Sequence, residues 1–225
     1  MRRTDKLLVV GAHPDDCEFG AGGTSFEWAR VGTEVHFAVV TDGSKGSADR
    51  LLGEVDLVKL RESEQRAAAA HLGVTGCHFL GFADGELSWS VALHRALVKL
   101  IRELKPHTVL THSPEPLDHR AFSGRGPSVN HRDHRAVGQC VLDAVYPSAR
   151  NPNEFQELEL DPHCVEQVGL WGGRFADTTV SCREGVRKKA EALALHSSQF
   201  PDEESLFALA QNWGDTETFE LVRLA

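Results

Sequence analysis

The sequence predicts an α/β fold, a Rossmann-like and mostly parallel sheet flanked by helices, in one domain spanning residues 1–225. Three observations predict it. Short apolar runs alternate with segments of helical length, the pattern of βαβ crossovers. The runs end at glycine, threonine or histidine, where turns begin. Apolar residues make up 41% of the 225, enough to bury a sizeable core.

The first run, "KLLVV", is a continuous apolar strand closed by Gly11. "GGTSFEWARVG" reads as a helix that stops at Gly32, with Gly20, Gly22 and Gly23 allowing close packing on the strand. "EVHFAVVTDG" is a second strand, and the polar segment 43–53 is a loop. "EVDLVKLRESEQRAAAAHLG" is a long helix with Gly73 at its C-terminal cap. "CHFLGF" is a third strand, "SVALHRALVKLIRELK" an amphipathic helix stopped before Pro106, and "HTVLTH" a fourth strand. Strand ends Gly11, Thr41, Phe82 and His112 then share one sheet edge, where open α/β sheets bind ligands.

The loop over residues 113–130 is long for a compact domain, which marks it as a binding loop or lid. "HRDHRAVGQCVLDAVY" returns to helix with Asn130 as its N-cap. "VGLWGG" and "DTTVSC" are further strands, "REGVRKKAEALALHSSQF" a helix, and "TFELVRL" a final strand.

Twenty-four basic against 33 acidic residues give a net charge of −9. That balance argues against nucleic acid, whose non-specific binding depends on basic side chains. The five cysteines include no C-x-x-C pair, which fits a reducing cytoplasm better than a disulfide framework. The apolar run from Leu7 to Ala12 is too short for a signal peptide or a membrane span. A small-molecule partner is the expectation that remains.

The chemistry concentrates in "AHPDDCEFGAGGT" and "NHRDH". A dinucleotide fingerprint needs glycines directly after the first strand, and here two aspartates would repel a pyrophosphate. Adjacent carboxylates at a strand end call for a cation. His13 and Asp16 are spaced to grip one metal, and imidazole with carboxylate suits zinc. His131 and His134, at i and i+3, share a helical face. The two clusters supply two histidines and one carboxylate, with a carboxylate and an imidazole left over. Three protein ligands leave a coordination position for water, whose pKa zinc lowers to about 7. Taken singly, each residue is also a plausible cap or surface group.

"AHPDDCEFGAGGT" resembles the A-H-P-D-D-x-E-x-x-x-G-G-T signature of the PIG-L/LmbE-like zinc-dependent de-N-acetylases, which include deacetylases of the mycothiol and bacillithiol pathways. "HRDH" resembles their H-x-D-H motif. "TDGSKGS", "RESEQRAAAAHLG" and "HSSQ" echo three further segments, although Ser44 and Lys45 stand where the family usually has glutamate.

The resemblance implies hydrolysis of an N-acetyl group on a glucosamine-type sugar or its conjugate, and an oligomer is a common form in the family. It places one Zn2+ per chain on His13, Asp16 and His134, the general base on Asp15, and oxyanion stabilisation or amine protonation on His131. Asp133 would orient His131 and favour its charged form. Arg61 and Asp84 are candidates for substrate hydroxyls or an anion, and His196 for packing the last helix. An amidase acting on a larger thiol-sugar S-conjugate or an antibiotic intermediate is the alternative. An Mg2+-binding phospho-acceptor module, with Asp84 as its third aspartate, is a remote one that leaves "HRDH" unexplained.

Overall fold

A computed structural model describes residues 1–46, 53–120 and 126–224. Parts of the two expected loops, 47–52 and 121–125, lie outside the described residues.

The expected strands form and pair in parallel. They are β1 (Lys6–Gly11), β2 (Glu34–Thr41), β3 (Gly76–Phe82) and β4 (Thr108–His112). Five more follow: β5 (Leu117–Asp118), β6 (Ser128–Val129), β7 (Gln167–Trp171), β8 (Thr178–Ser181) and β9 (Thr216–Arg223). The main sheet has the order β3-β2-β1-β4-β7-β9-β8, parallel as far as β7, with β9 antiparallel to both β7 and β8. Strands β5 and β6 make a small antiparallel ribbon inside the long loop.

Helices cover both faces: α1 (Asp16–Ala29), α2 (Glu54–His71), α3 (Val91–Leu104), α4 (Arg132–Asp143), α5 (Gly185–Ala194) and α6 (Glu203–Ala210). Side-chain alternation along β1 feeds two cores. Leu8 and Val10 pack with Leu97, Ile101, Val137 and Val141, whereas Leu7 and Val9 pack with Trp28, Phe37, Leu72 and Trp171.

Boundaries depart from expectation in places with local causes. Helix α1 starts at Asp16, ahead of its glycines. A Cβ at Gly20 would stand 2.4 Å from the Trp171 ring, so glycine there serves the close packing that the sequence suggests. The helix kinks at Ala21 (φ −150°, ψ 21°), and the Gly23 and Thr24 N–H groups donate to Glu217 of β9 at 3.0 and 2.7 Å. Lys189 closes that buried carboxylate at 2.9 Å.

Helix α5 ends at Ala194, short of Phe200, because Ser197 and Ser198 leave the helical path to donate to Glu64 (2.6–3.0 Å). Helix α6 was not expected, although Asp202 caps it by accepting from Ser205 N–H at 3.2 Å. The cap of α4 is His131, not Asn130. The Asn130 amide instead donates to the Ser113 and Glu115 carbonyls, each at 2.9 Å, and ties down the start of the long loop.

Two glycines set the distances on which the site depends. At Gly11 a Cβ would meet the Asp16 Cβ at 2.8 Å, so glycine lets the chain fold back into α1. At Gly138 a Cβ would lie 2.4 Å from the His112 carbonyl oxygen, so glycine lets α4 touch the end of β4. Gly138→Ala presses a methyl against backbone, and the cost is about 1–3 kcal/mol. Thermal unfolding should show a midpoint lower by roughly 2–12 °C, at about 2–4 °C per kcal/mol for a chain of this size.

Candidate active site

β1 and β4 are neighbours whose following segments leave in different directions, so a crevice opens beyond Gly11 and His112 at the topological switch point. A cavity of about 570 Å³ lies there, and His13, Asp15, Asp16, Asp84, His131 and His134 all line it.

Asp16 is the hub. Its Oδ2 accepts from the His13 N–H at 2.8 Å and lies 3.2 Å from His13 Nδ1 and 3.3 Å from His112 Nε2. Its Oδ1 lies 3.3 Å from His134 Nε2. The predicted ligands His13, Asp16 and His134 thus converge on one carboxylate. Asp16, His112 and His134 form a group whose ligand atoms lie within 4.8 Å of one another, as do His13, His131 and His134. The set is therefore wider than the sequence indicated. The sequence places His112 at a strand end on the ligand edge without giving it a role, yet its ring stacks on His134 at 4.0 Å between centroids. The signal that finds it is topological: the last residue of the strand beside β1 must end near residue 12.

Asp15, Asp16 and Asp84 line this crevice beside the histidines, and Asp133 lies buried behind His13. Burial lowers the His13 pKa, but the bonds to Asp133, Asp16 and Asp84 overcome it and push it up to about 12. Burial opposes the charge of Asp16 too, yet His134 and His112 hold it well below the usual carboxylate range. Burial and the charge of His134 push His112 down to about 3. A field that draws a proton so firmly onto His13 suits a cation, and imidazole with carboxylate is a donor set that zinc accepts. The residues therefore fit a divalent metal.

Asp15 is in the left-handed region at φ 99°, immediately before α1. Burial and the adjacent Asp16 raise its pKa to about 7, against the opposing charges of Arg61, His196 and His13. Arg61, expected at a substrate, is 3% exposed. It lines the cavity but donates to the carbonyls of Gly43 (2.9 Å) and Pro14 (2.7 Å) and lies 3.4 Å from Asp15 Oδ2. Asp84 also lines the cavity with its oxygens engaged, Oδ1 at 3.1 Å from His13 Nε2 and Oδ2 accepting from Lys45 N–H at 3.0 Å. Both expected substrate contacts thus have protein partners.

Asp133 does not orient His131 through its carboxylate. That group accepts from Gly85 N–H (2.7 Å) and Leu87 N–H (3.2 Å) and lies 3.3 Å from His13 Nε2. It is the Asp133 backbone N–H that meets His131, donating to Nδ1 at 3.2 Å. Desolvation and the charges of His13 and His134 hold His131 below its ordinary pKa, outweighing the pull of Asp133. The expected charged form is thereby disfavoured.

Residues 8–145 match the profile of the PIG-L family, described as GlcNAc-PI de-N-acetylase. The diacetylchitobiose deacetylase of Thermococcus kodakarensis is 32% identical over 88% of this chain and 71% of its own. A probable N-acetyl-alpha-D-glucosaminyl L-malate deacetylase of Bacillus anthracis is 27% identical over 98% and 92%. Among solved structures, the N,N'-diacetylchitobiose deacetylase of Pyrococcus horikoshii superposes with a TM-score of 0.85 at 28% identity, covering 97% of this chain and 84% of that one. With the profile matching well over half of its length, this chain belongs to the PIG-L family of de-N-acetylases.

Proposed function

We propose that the chain is a zinc-dependent hydrolase that removes the N-acetyl group from an N-acetylglucosamine-type sugar or its conjugate, releasing acetate and a free amine. The observation that carries the reading is the convergence of His13, His112 and His134 on Asp16, with Asp15 and His131 lining the same cavity. The names of the relatives support the substrate class. Neither alternative gains from these findings. The phospho-acceptor reading in particular leaves the histidines unexplained, and Asp84 is bound to His13.

His13, Asp16 and His134 would hold one zinc, with His112 beside the same carboxylate. The ion would polarise the acetyl carbonyl and acidify a water. Asp84 and Asp133 steady His13 through Nε2, as carboxylates behind a ligating histidine do. Asp15, with a pKa near 7, takes a proton from the attacking water and returns it to the departing nitrogen.

His131 needs no positive charge for its part. Its Nδ1 accepts from the Asp133 N–H, so the neutral ring carries its proton on Nε2. That N–H donates to the oxygen on which charge develops. Atoms balance as amide plus water giving acetate plus amine.

Among the described residues no helix is long and apolar enough to cross a membrane. A cytoplasmic site of action remains part of the proposal.

Three variants test the roles. Asp16→Ala removes the hub, and metal analysis after dialysis should fall from one zinc per chain to almost none. Asp15→Asn should keep its zinc and lose about 10²–10⁴ in kcat for acetate release from N,N'-diacetylchitobiose. An Asp15→Asn enzyme with full turnover would remove Asp15 from the chemistry. His131→Ala should lower kcat by about 10²–10³ with KM little changed, the pattern of a donor that acts in the transition state.

A further inference from the structure

Glu18, Gln65 and His196 are polar side chains at 0% exposure, and none of them lines the cavity. They come from α1, α2 and the turn after α5, and they meet behind the base. Gln65 uses both ends of its amide. Its Oε1 accepts from the Asp15 N–H at 2.8 Å, and its Nε2 donates to Glu18 Oε1 at 2.6 Å. The other Glu18 oxygen lies 3.7 Å from His196 Nε2.

The amide orientation follows from its partners, since a backbone N–H requires an oxygen and a carboxylate requires a donor. Leucine would satisfy neither end. Glutamate would satisfy only the first and would face Glu18 with a second carboxylate.

The bond falls where the backbone has most need of it. Asp15 is not glycine, yet it holds φ 99° and ψ −25°, a conformation that persists only where surroundings impose it. Arg61 fixes the preceding carbonyl, at Pro14, and Gln65 fixes the Asp15 amide itself. Both ends of the peptide joining residues 14 and 15 are thus held from α2, whose attachment to α1 is the buried Glu18.

We propose that Gln65 is a positioning residue for the reaction: braced on Glu18, it holds the Asp15 main chain in the left-handed turn that presents its carboxylate to the cavity. The inference rests on Asp15 being the base. The competing role is structural, with Gln65 merely joining α2 to α1.

A double-mutant cycle separates the two. Wild type, Gln65→Leu, Asp15→Asn and the double variant are compared by kcat and KM for acetate release from N,N'-diacetylchitobiose, with zinc content and thermal midpoint measured alongside. Gln65→Leu should lower kcat by about 10- to 100-fold with KM and zinc unchanged, the effect of misplacing a reacting group. In the Asp15→Asn background it should cost nothing further, because the group that it positions no longer acts.

Equal losses in both backgrounds, or no loss in either, would overturn the proposal. Full turnover by Asp15→Asn would strike the prior reading of Asp15 instead. If Gln65→Leu fails to fold, the exchange of Glu18→Gln with Gln65→Glu recreates one donor, one acceptor and an oxygen for the Asp15 amide. It should recover most of the kcat lost in Gln65→Glu alone, and a double variant as slow as that single one would count against the idea.

Discussion

The crowding of negative charge at the ends of β1 and β4 is the constraint on which the rest of the site depends. Asp15, Asp16 and Asp84 line the crevice and Asp133 lies fully buried behind His13, with Asp16 and Asp84 nearly as buried. Left to themselves they would repel one another and raise one another's pKa values. The fold answers with imidazoles on one side and backbone N–H groups on the other. His13 stands between Asp16 and the Asp84–Asp133 pair, touching the first through Nδ1 and the others through Nε2. Gly85 and Leu87 N–H groups take the remaining capacity of Asp133.

That arrangement explains why residues of similar chemistry differ in protonation. Asp15 and Asp16 are adjacent in sequence, but one has its pKa raised to about 7 and the other has it lowered. The difference lies in their neighbours. Asp16 faces three histidines, whereas Asp15 faces away toward a single guanidinium, at 3.4 Å. Groups set apart in this way form a natural division between holding a cation and moving a proton. The histidines divide similarly. His134 turns its Nε2 to Asp16, while His131, one turn earlier, uses its Nδ1 to cap the helix.

Much of this was legible in the chain. The strand ends Gly11, Thr41, Phe82 and His112 could be placed on one edge because apolar runs of strand length alternate with helices, and the two motifs then fell at that edge. What stayed hidden was tertiary. Gly20 and Gly23 read as close-packing positions, but nothing in a single sequence shows that a tryptophan and a cysteine are what lie against them. Arg61 reads as a substrate contact because its acceptors, the carbonyls of Pro14 and Gly43, are backbone atoms with no sequence signature. The Asp133 carboxylate was assigned to His131 in the same motif, whereas the fold gives it a histidine 120 residues away. His112 needed strand order, which alternation alone does not supply.

The bond from Glu217 to Gly23 and Thr24 joins residues more than 190 positions apart. Because α1 is kinked, it cannot close that gap from within its own turns, and the missing acceptor arrives only with the last strand of the sheet. A growing polypeptide on the ribosome would therefore carry its metal motif on a half-finished helix until nearly all of these residues had emerged. Contacts of such separation are slow to form, because a long loop must close before they return any stabilisation. The helix that follows the proposed metal residues is then completed only by a strand more than 190 positions downstream.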